Sequence, residues 1–163
     1  MEISALMDAV EQALRTRFPG ESVYRDRLPK DFQRPSFALE LEKTETAAVN
    51  IGLVRKTAAV LVTCFTEVDA YGDSSREELD RRGAAVLDLF AGRVWQVGDR
   101  CPAVRVGKGQ GGPDLVEVRA EFSWTDIRPG YRDPEDPASG GGAPVMEDFA
   151  LHVDVSAAAE RKE

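Results

Sequence analysis

Residues 23–41 limit the folds that this chain can adopt. They begin as a short strand, and Pro29 and Pro35 then mark a turn. The alternating apolar residues from Phe37 onward predict a second strand with one face in water. The preceding residues 3–18 carry one apolar stripe at helical spacing, and a Pro-Gly pair ends that helix. The chain therefore opens as helix, strand, turn and strand.

The remaining patterns predict a sheet and a second helix. Residues 58–65 are almost wholly apolar and often β-branched, which is typical of a central strand. A polar turn at residues 43–46 is predicted to precede a strand at residues 49–53. Ser74 and Glu77 match a capping box that would start the second helix. Other predicted strands are residues 94–97, 103–106, 116–124 and 149–155.

Two helices with seven or eight strands, mostly joined by short connections, predict an α+β fold. We expect a mixed, largely antiparallel β-sheet with the two main helices packed on it, because each helix offers only one apolar stripe. Residues 1–155 are expected to form this single domain. Residues 128–144 are rich in Pro, Gly, Asp and Ser, so they are predicted to form a loop or arm. Residues 156–163 are predicted to be a disordered C-terminal tail.

The charge balance excludes some classes of partner. The chain has 29 acidic and 21 basic residues among 163, a net charge of −8. This charge argues against nucleic-acid or anionic-membrane surfaces. An acidic surface keeps a protein soluble, and it would equally suit the wall of a channel that DNA passes without sticking. No segment approaches the roughly 20 apolar residues needed to cross a bilayer. Glu2 and Asp8 interrupt any apolar leader, so the cytosol is the expected compartment.

The motifs that could carry chemistry are weak. Residues 107–112 spell G-x-G-x-x-G, but a phosphate cradle needs a helix to start there. Pro113 and a strand follow instead, so a hairpin loop is expected. The single histidine, His152, and the distant Cys64 and Cys101 supply too few ligands for a zinc site. Cys64 lies in an apolar strand and is expected to be a buried thiol. We expect no cofactor, no metal and no enzymatic activity.

One pattern is more specific. Tyr-x-Asp-x-x-Pro-x-x-Phe-x-x-Pro-x-Phe runs from Tyr24 to Phe37. This run after a first helix resembles the N-terminal signature of a family of small phage tail terminator proteins. The Arg55-Lys56 pair before an apolar strand, the Asp114-Leu115 start of a long strand and the Met-Glu segment at residues 146–147 are similar to that family as well. Two departures are Lys30, where the family often has Gln, and residues 128–144, a segment longer than usual.

The resemblance implies a structural role with no cofactor. Such proteins form a hexameric ring on the head-proximal end of the tail tube and stop its polymerisation. The ring presents a surface to the head-side connector and, in contractile tails, holds the last sheath ring. The implied partners are other copies of the chain, the tail tube protein, the connector protein and, in contractile tails, the sheath protein. No membrane and no sequence-specific nucleic acid are implied, although DNA passes through the pore. The implied location is the neck of the virion tail, assembled in the bacterial host cytoplasm.

Seven residues are candidates for the assembly interfaces. Phe32, an aromatic residue between two prolines, either docks on a partner or packs within its own domain. The other candidates are Arg55, Lys56, Tyr131, Asp133, Glu135 and Asp136. Two alternative functions remain open: another head–tail joining protein of the neck, and an acidic dimeric chaperone or adaptor. Stoichiometry distinguishes them, because a ring needs six subunits and a chaperone usually has two.

Overall fold

The structure is a computed structural model that describes residues 1–132. The predicted strand at residues 149–155, His152 and the predicted tail at residues 156–163 lie outside the described residues. Contacts divide the chain into the units Met1–Pro129 and Gly130–Glu163, and the fold below is that of the first unit. Its elements are α1 (Ile3–Arg17), β1 (Ser22–Arg25), β2 (Ser36–Ala48), β3 (Leu53–Phe65), α2 (Arg76–Ala91), β4 (Ala103–Gly111) and β5 (Leu115–Ile127).

The five strands form one mixed sheet in the order β1-β2-β3-β5-β4. The short strand β1 is parallel to β2, and every other pair is antiparallel. Strand β3 lies in the middle, as its apolar run predicts. The predicted α+β fold with a largely antiparallel sheet and two helices is confirmed.

One face of the sheet carries the core. Strands β3 and β5 pair along their full length, which places Val60 opposite Ala120 and Val62 opposite Val118. These residues are buried in one cluster with Leu14 of α1 and the apolar stripes of both helices. Both helices therefore cover the same face. Charged and polar side chains dominate the other face, including Glu40, Arg105, Glu117, Arg119 and Glu121.

The ends of α2 are set by local hydrogen bonds. Ser75 is the N-cap, and its side chain accepts a hydrogen bond from the backbone N–H of Glu78. The predicted capping box at Ser74 and Glu77 is therefore wrong by one residue. The Ser74 hydroxyl instead donates to the carbonyl of Glu67, so it fastens the loop that precedes the helix. Within the described residues, no helix is long and apolar enough to span a membrane.

The predicted turn at residues 43–46 is wrong, because strand β2 runs through it to Ala48. Pairing with β3 continues to Ala48 and Val54, so backbone hydrogen bonds override the polar composition. The predicted strand at residues 49–53 is mostly the turn of this hairpin. The Asn50 side chain accepts hydrogen bonds from the N–H groups of Gly52 and Leu53, which closes the turn.

The predicted strand at residues 94–97 is also wrong. Trp95 is buried because its ring stacks on Phe90 at 5.2 Å and meets Phe122 edge-on at 5.3 Å. Its indole N–H donates to the carbonyl of Phe90. The alternation of apolar residues here reflects burial in a loop, and Val97 forms only an isolated bridge with Arg100.

A charged residue fills the gap in the apolar stripe of α2. Arg82 is only 7% exposed, and its guanidinium lies 4.4 Å from the ring centre of Phe37. Its ion-pair partner is Glu21, in the turn between α1 and β1. One residue later, Gly83 lets α2 approach β5, since an added Cβ would lie 3.3 Å from a methyl group of Val116. The second helix is therefore held at two places: the Arg82–Glu21 pair links it to the start of the sheet, and Gly83 lets it lie close to β5.

Removing the carboxylate of this pair should destabilise the fold. Glu21→Gln leaves the buried Arg82 charge without its counterion, so we expect the free energy of unfolding to fall by about 2–4 kcal/mol. Urea denaturation measures it. Glu11→Gln is the control, because Glu11 pairs with Arg15 on the surface of α1 and its loss should cost about 0.5 kcal/mol. Equal effects of the two substitutions would contradict the assigned role of Arg82.

Candidate assembly surfaces

The signature residues build the loop between β1 and β2. The Tyr24 hydroxyl accepts a hydrogen bond from the backbone N–H of Gln33, which draws the end of the loop back to β1. Asp26 has a φ of 62°, a left-handed conformation that Asp tolerates better than most residues, and its N–H donates to the carbonyl of Leu39. Phe37, the last signature residue, is fully buried. These residues shape the loop and contribute no reactive group.

Phe32 packs within its own domain. Its ring lies 4.7 Å from that of Phe65 and 6.5 Å, edge-on, from that of Tyr24. The side chain is half-buried, so an outer surface remains. Of the two alternatives for this aromatic, the structure shows contacts within its own domain, and docking on a partner stays a prediction.

Arg34 ties the loop to the rest of the fold, a role that no sequence pattern indicates. Its guanidinium lies 4.9 Å from the ring centre of Phe32 and 5.2 Å from that of Phe65. It donates to the carbonyls of Thr66 and Asp114 and forms an ion pair with the Asp114 carboxylate. The Asp114 that the family resemblance singles out is therefore the anchor of the signature loop.

Arg55 and Lys56 point to opposite faces of the sheet because they are consecutive residues of β3. Arg55 is exposed, so it is available to a partner. Lys56 is half-buried, and its ammonium lies 3.1 Å from the carboxylate of Asp126. The pair does not form a single basic surface.

Asp126 gathers several donors at the far end of β5. Its carboxylate contacts Lys56, Arg100 at 3.1 Å and the indole N–H of Trp124 at 3.2 Å. Burial raises the pKa of Asp126, but the hydrogen bonds from Lys56 and Trp124 outweigh it and hold the pKa below its usual value. This cluster could not be predicted from the sequence, because its members come from three separate segments.

Of the four interface candidates in the predicted arm, the structure describes only Tyr131. Tyr131 is half-buried and has no regular secondary structure. Asp133, Glu135 and Asp136 lie outside the described residues.

Exposed apolar side chains mark the tip of the β2–β3 hairpin. Ile51 is 79% exposed at the turn, and Val49, Leu53 and the neighbouring Ile127 are also exposed. A cluster of exposed apolar side chains is typical of an interaction surface. The predicted turn at residues 43–46 lies before this tip, so the exposed cluster was not expected.

The glycine-rich segment and Cys64 both lie in strands of the sheet. Gly107 to Gly111 belong to strand β4, so the expected hairpin loop is wrong in extent, and the turn lies at residues 112–114. A strand and no helix follows, as the sequence predicts. Cys64 is buried, which raises the pKa of its thiol to about 12. Within residues 1–132, no group of three or more His, Cys, Asp and Glu could hold a metal ion.

The first half of the chain matches the model of a known family. The family model described as "Phage tail terminator protein" matches residues 5–86, half of the chain. The match spans nearly all of α1, the signature loop, the β2–β3 hairpin and most of α2. The chain belongs to the phage tail terminator family and is thus a structural component of a bacteriophage tail. A comparison with curated proteins finds no match.

The signature loop should contribute to stability through the Phe32 and Arg34 contacts. We expect Phe32→Ala and Arg34→Ala each to lower the free energy of unfolding by about 1.5–3 kcal/mol, through lost packing and lost charged hydrogen bonds. Because the two side chains touch, the double variant should lose less than the sum. Leu28→Ala, an exposed position of the same loop, is the control for urea denaturation. An unchanged free energy of unfolding in both single variants would contradict this role.

The Asp126 cluster should make stability depend on pH. A carboxylate with a lowered folded-state pKa stabilises the fold above its unfolded pKa of about 3.9, and this contribution is lost as the pH falls through the folded pKa. Asp126→Asn should therefore cost about 1–3 kcal/mol at pH 7 and progressively less as the pH falls from 5 towards 2. Urea titrations across that range measure the difference, with Asp31→Asn as the exposed control. A difference that does not change with pH would refute the assignment.

Proposed function

We propose that this protein is the ring that ends the tail tube. Six copies bind the head-proximal end of the tube, stop further addition of tube subunits and present the surface that joins the head-side connector. In a contractile tail the ring also holds the last ring of sheath. Its place is the neck of the virion, and it assembles in the host cytoplasm.

The family match over residues 5–86 carries this proposal. The matched segment includes the signature loop and the hairpin with its exposed apolar tip, two surfaces that a partner can contact. The protein acts through complementary surfaces and not through turnover. One surface fits the tube subunit, and the opposite surface does not reproduce it, so open-ended addition becomes closure.

The partners follow from this mechanism. They are other copies of the chain, the tail tube protein, the connector protein and, where present, the sheath protein. The net charge of −8 suits a ring whose pore DNA crosses without binding, since like charges repel.

Tube growth in the presence of the protein tests the function. Purified tube subunits polymerise with and without the wild-type protein, and electron microscopy measures tube length while native mass spectrometry measures stoichiometry. We expect shorter tubes with six copies of the protein at one end only. Tubes of unchanged length with no bound protein would refute the proposal, and a stable dimer that never binds tubes would favour an adaptor.

A further inference from the structure

Within residues 1–132, two stretches of the sheet have a neighbouring strand on one side only. Strand β1 covers β2 from Ser36 to Leu39, so the rest of β2, from Glu40 to Ala48, is open on that side. Strand β4, Ala103–Gly111, is the last strand at the opposite side of the sheet. Open strand edges pair readily with strands of another chain.

We propose that neighbouring subunits of the ring join head to tail through these two edges: β4 of one copy adds to the open half of β2 in the next. The inference rests on the proposed function, because it describes how the six copies of that ring contact one another. Head-to-tail contacts use two different surfaces, and they close into a ring when the rotation from one copy to the next divides a full turn evenly.

The direction of the strands fits this arrangement. Strand β3 is antiparallel to β2 and to β5, and β5 is antiparallel to β4, so β2 and β4 run in opposite directions. In a ring, each subunit keeps the same orientation relative to the axis. The β4 strand of one copy and the β2 strand of the next are then antiparallel, which continues the pattern of the sheet.

The free backbone groups can be located on both edges. The N–H of Val49 donates to Leu53 across the hairpin, so by alternation the backbone groups of Thr44, Thr46 and Ala48 face away from β3. The backbone N–H of Gly112 donates to the carbonyl of Leu115. By alternation, the backbone groups of the odd-numbered residues of β5 face β4. The outward groups of β4 are therefore those of Val104, Val106 and Lys108.

The charges of the two edges are complementary. The open half of β2 carries three glutamates, Glu40, Glu42 and Glu45, and one Lys43. Strand β4 carries no acidic residue; of its two cations, Lys108 pairs with Asp80 of α2, and Arg105 has no ion-pair partner within residues 1–132. Pairing two β2 edges or two β4 edges would oppose like charges, so complementarity favours the head-to-tail contact.

One register satisfies both the backbone and the charges. If Val104 pairs with Thr46, then Arg105 lies opposite Glu45 and Lys43 lies opposite Gly107. Both Arg105 and Glu45 project from the face that the helices leave uncovered. Within residues 1–132, Arg105 has no ion-pair partner, and the only one of Glu45 is the surface residue Lys43. The contact therefore gives Arg105 a counterion.

The number of strands sets the diameter of the closed sheet. Four strands from each of six copies would close a barrel of about 24 strands, whose diameter is at least about 35 Å at a strand spacing of roughly 4.8 Å. The helix layer would lie outside, and the charged, uncovered face would line the channel. The apolar hairpin tips would then stand at one rim of the ring.

Charge reversal tests the contact. Arg105→Glu opposes two carboxylates, and Glu45→Lys opposes two cations, so each variant alone should need roughly tenfold more protein to cap half of the tube ends. Mixing the two variants should restore capping. In a ring that alternates the two variants, opposite charges meet at every contact. Lys30→Glu and Asp31→Lys are the controls, since both residues are exposed in the loop between β1 and β2.

A backbone variant tests the strand pairing separately. Thr46→Pro removes one outward N–H, whereas Thr46→Ala keeps it. We expect loss of capping in the proline variant only, with circular dichroism showing that both variants are folded.

The outcomes separate this proposal from the proposed function. If the wild-type protein and Arg105→Glu both form normal rings, the edge contact is overturned and the proposed function stands. Failure of the mixed variants to restore rings would overturn the head-to-tail register. Wild-type protein that forms no ring on tail tubes would overturn both.

Discussion

The pairing of β3 on both sides is the constraint on which the fold depends. This strand is hydrogen-bonded to β2 and β5 from Leu53 to Phe65, and its inward side chains lie at the centre of the core. Both helices pack on the face that it defines. Its length also sets how far β2 and β5 extend, and these extensions create the hairpin tip and the open half of β2. The surfaces available for assembly are thus a consequence of one long central strand.

The Tyr24–Phe37 pattern, which resembles the family's signature, has a physical explanation in the loop it builds. Tyr24 and Phe32 hold the loop against the sheet, and Arg34 joins it to Asp114, 80 residues later in the chain. The loop therefore joins the matched N-terminal half to β5, which lies outside the match. A recognition pattern of this kind reports a fold and its surface, and it requires no catalytic group.

Much of the fold could be predicted from local pattern. The helical stripes, the alternation of β5 and the apolar run of β3 each identify an element, because burial on one face dictates residue spacing. The polar residues 43–46 were misread because pairing with β3, a non-local interaction, keeps them in a strand. Trp95 was misread because burial in a loop can mimic strand alternation. Arg82 and Asp126 could not be found, since the residues that hold them come from distant segments.

The candidate surfaces were predictable only in part. Phe32 stood out because an aromatic side chain in a polar, proline-flanked segment needs a packing partner. Arg55 and Lys56 were grouped as a basic pair, whereas strand geometry separates them onto two faces. The open edges of β2 and β4 were not predictable, because an edge exists only once the order of the strands is known.

The most direct test of the central claim is electron cryomicroscopy of the protein bound to its tail tube, at a resolution that separates strands. We expect six copies at the head-proximal end, with strands continuous from β4 of one copy to β2 of the next. A bound assembly with another number of subunits, or no ring at that end, would contradict the account of this protein as the terminator ring of the tail.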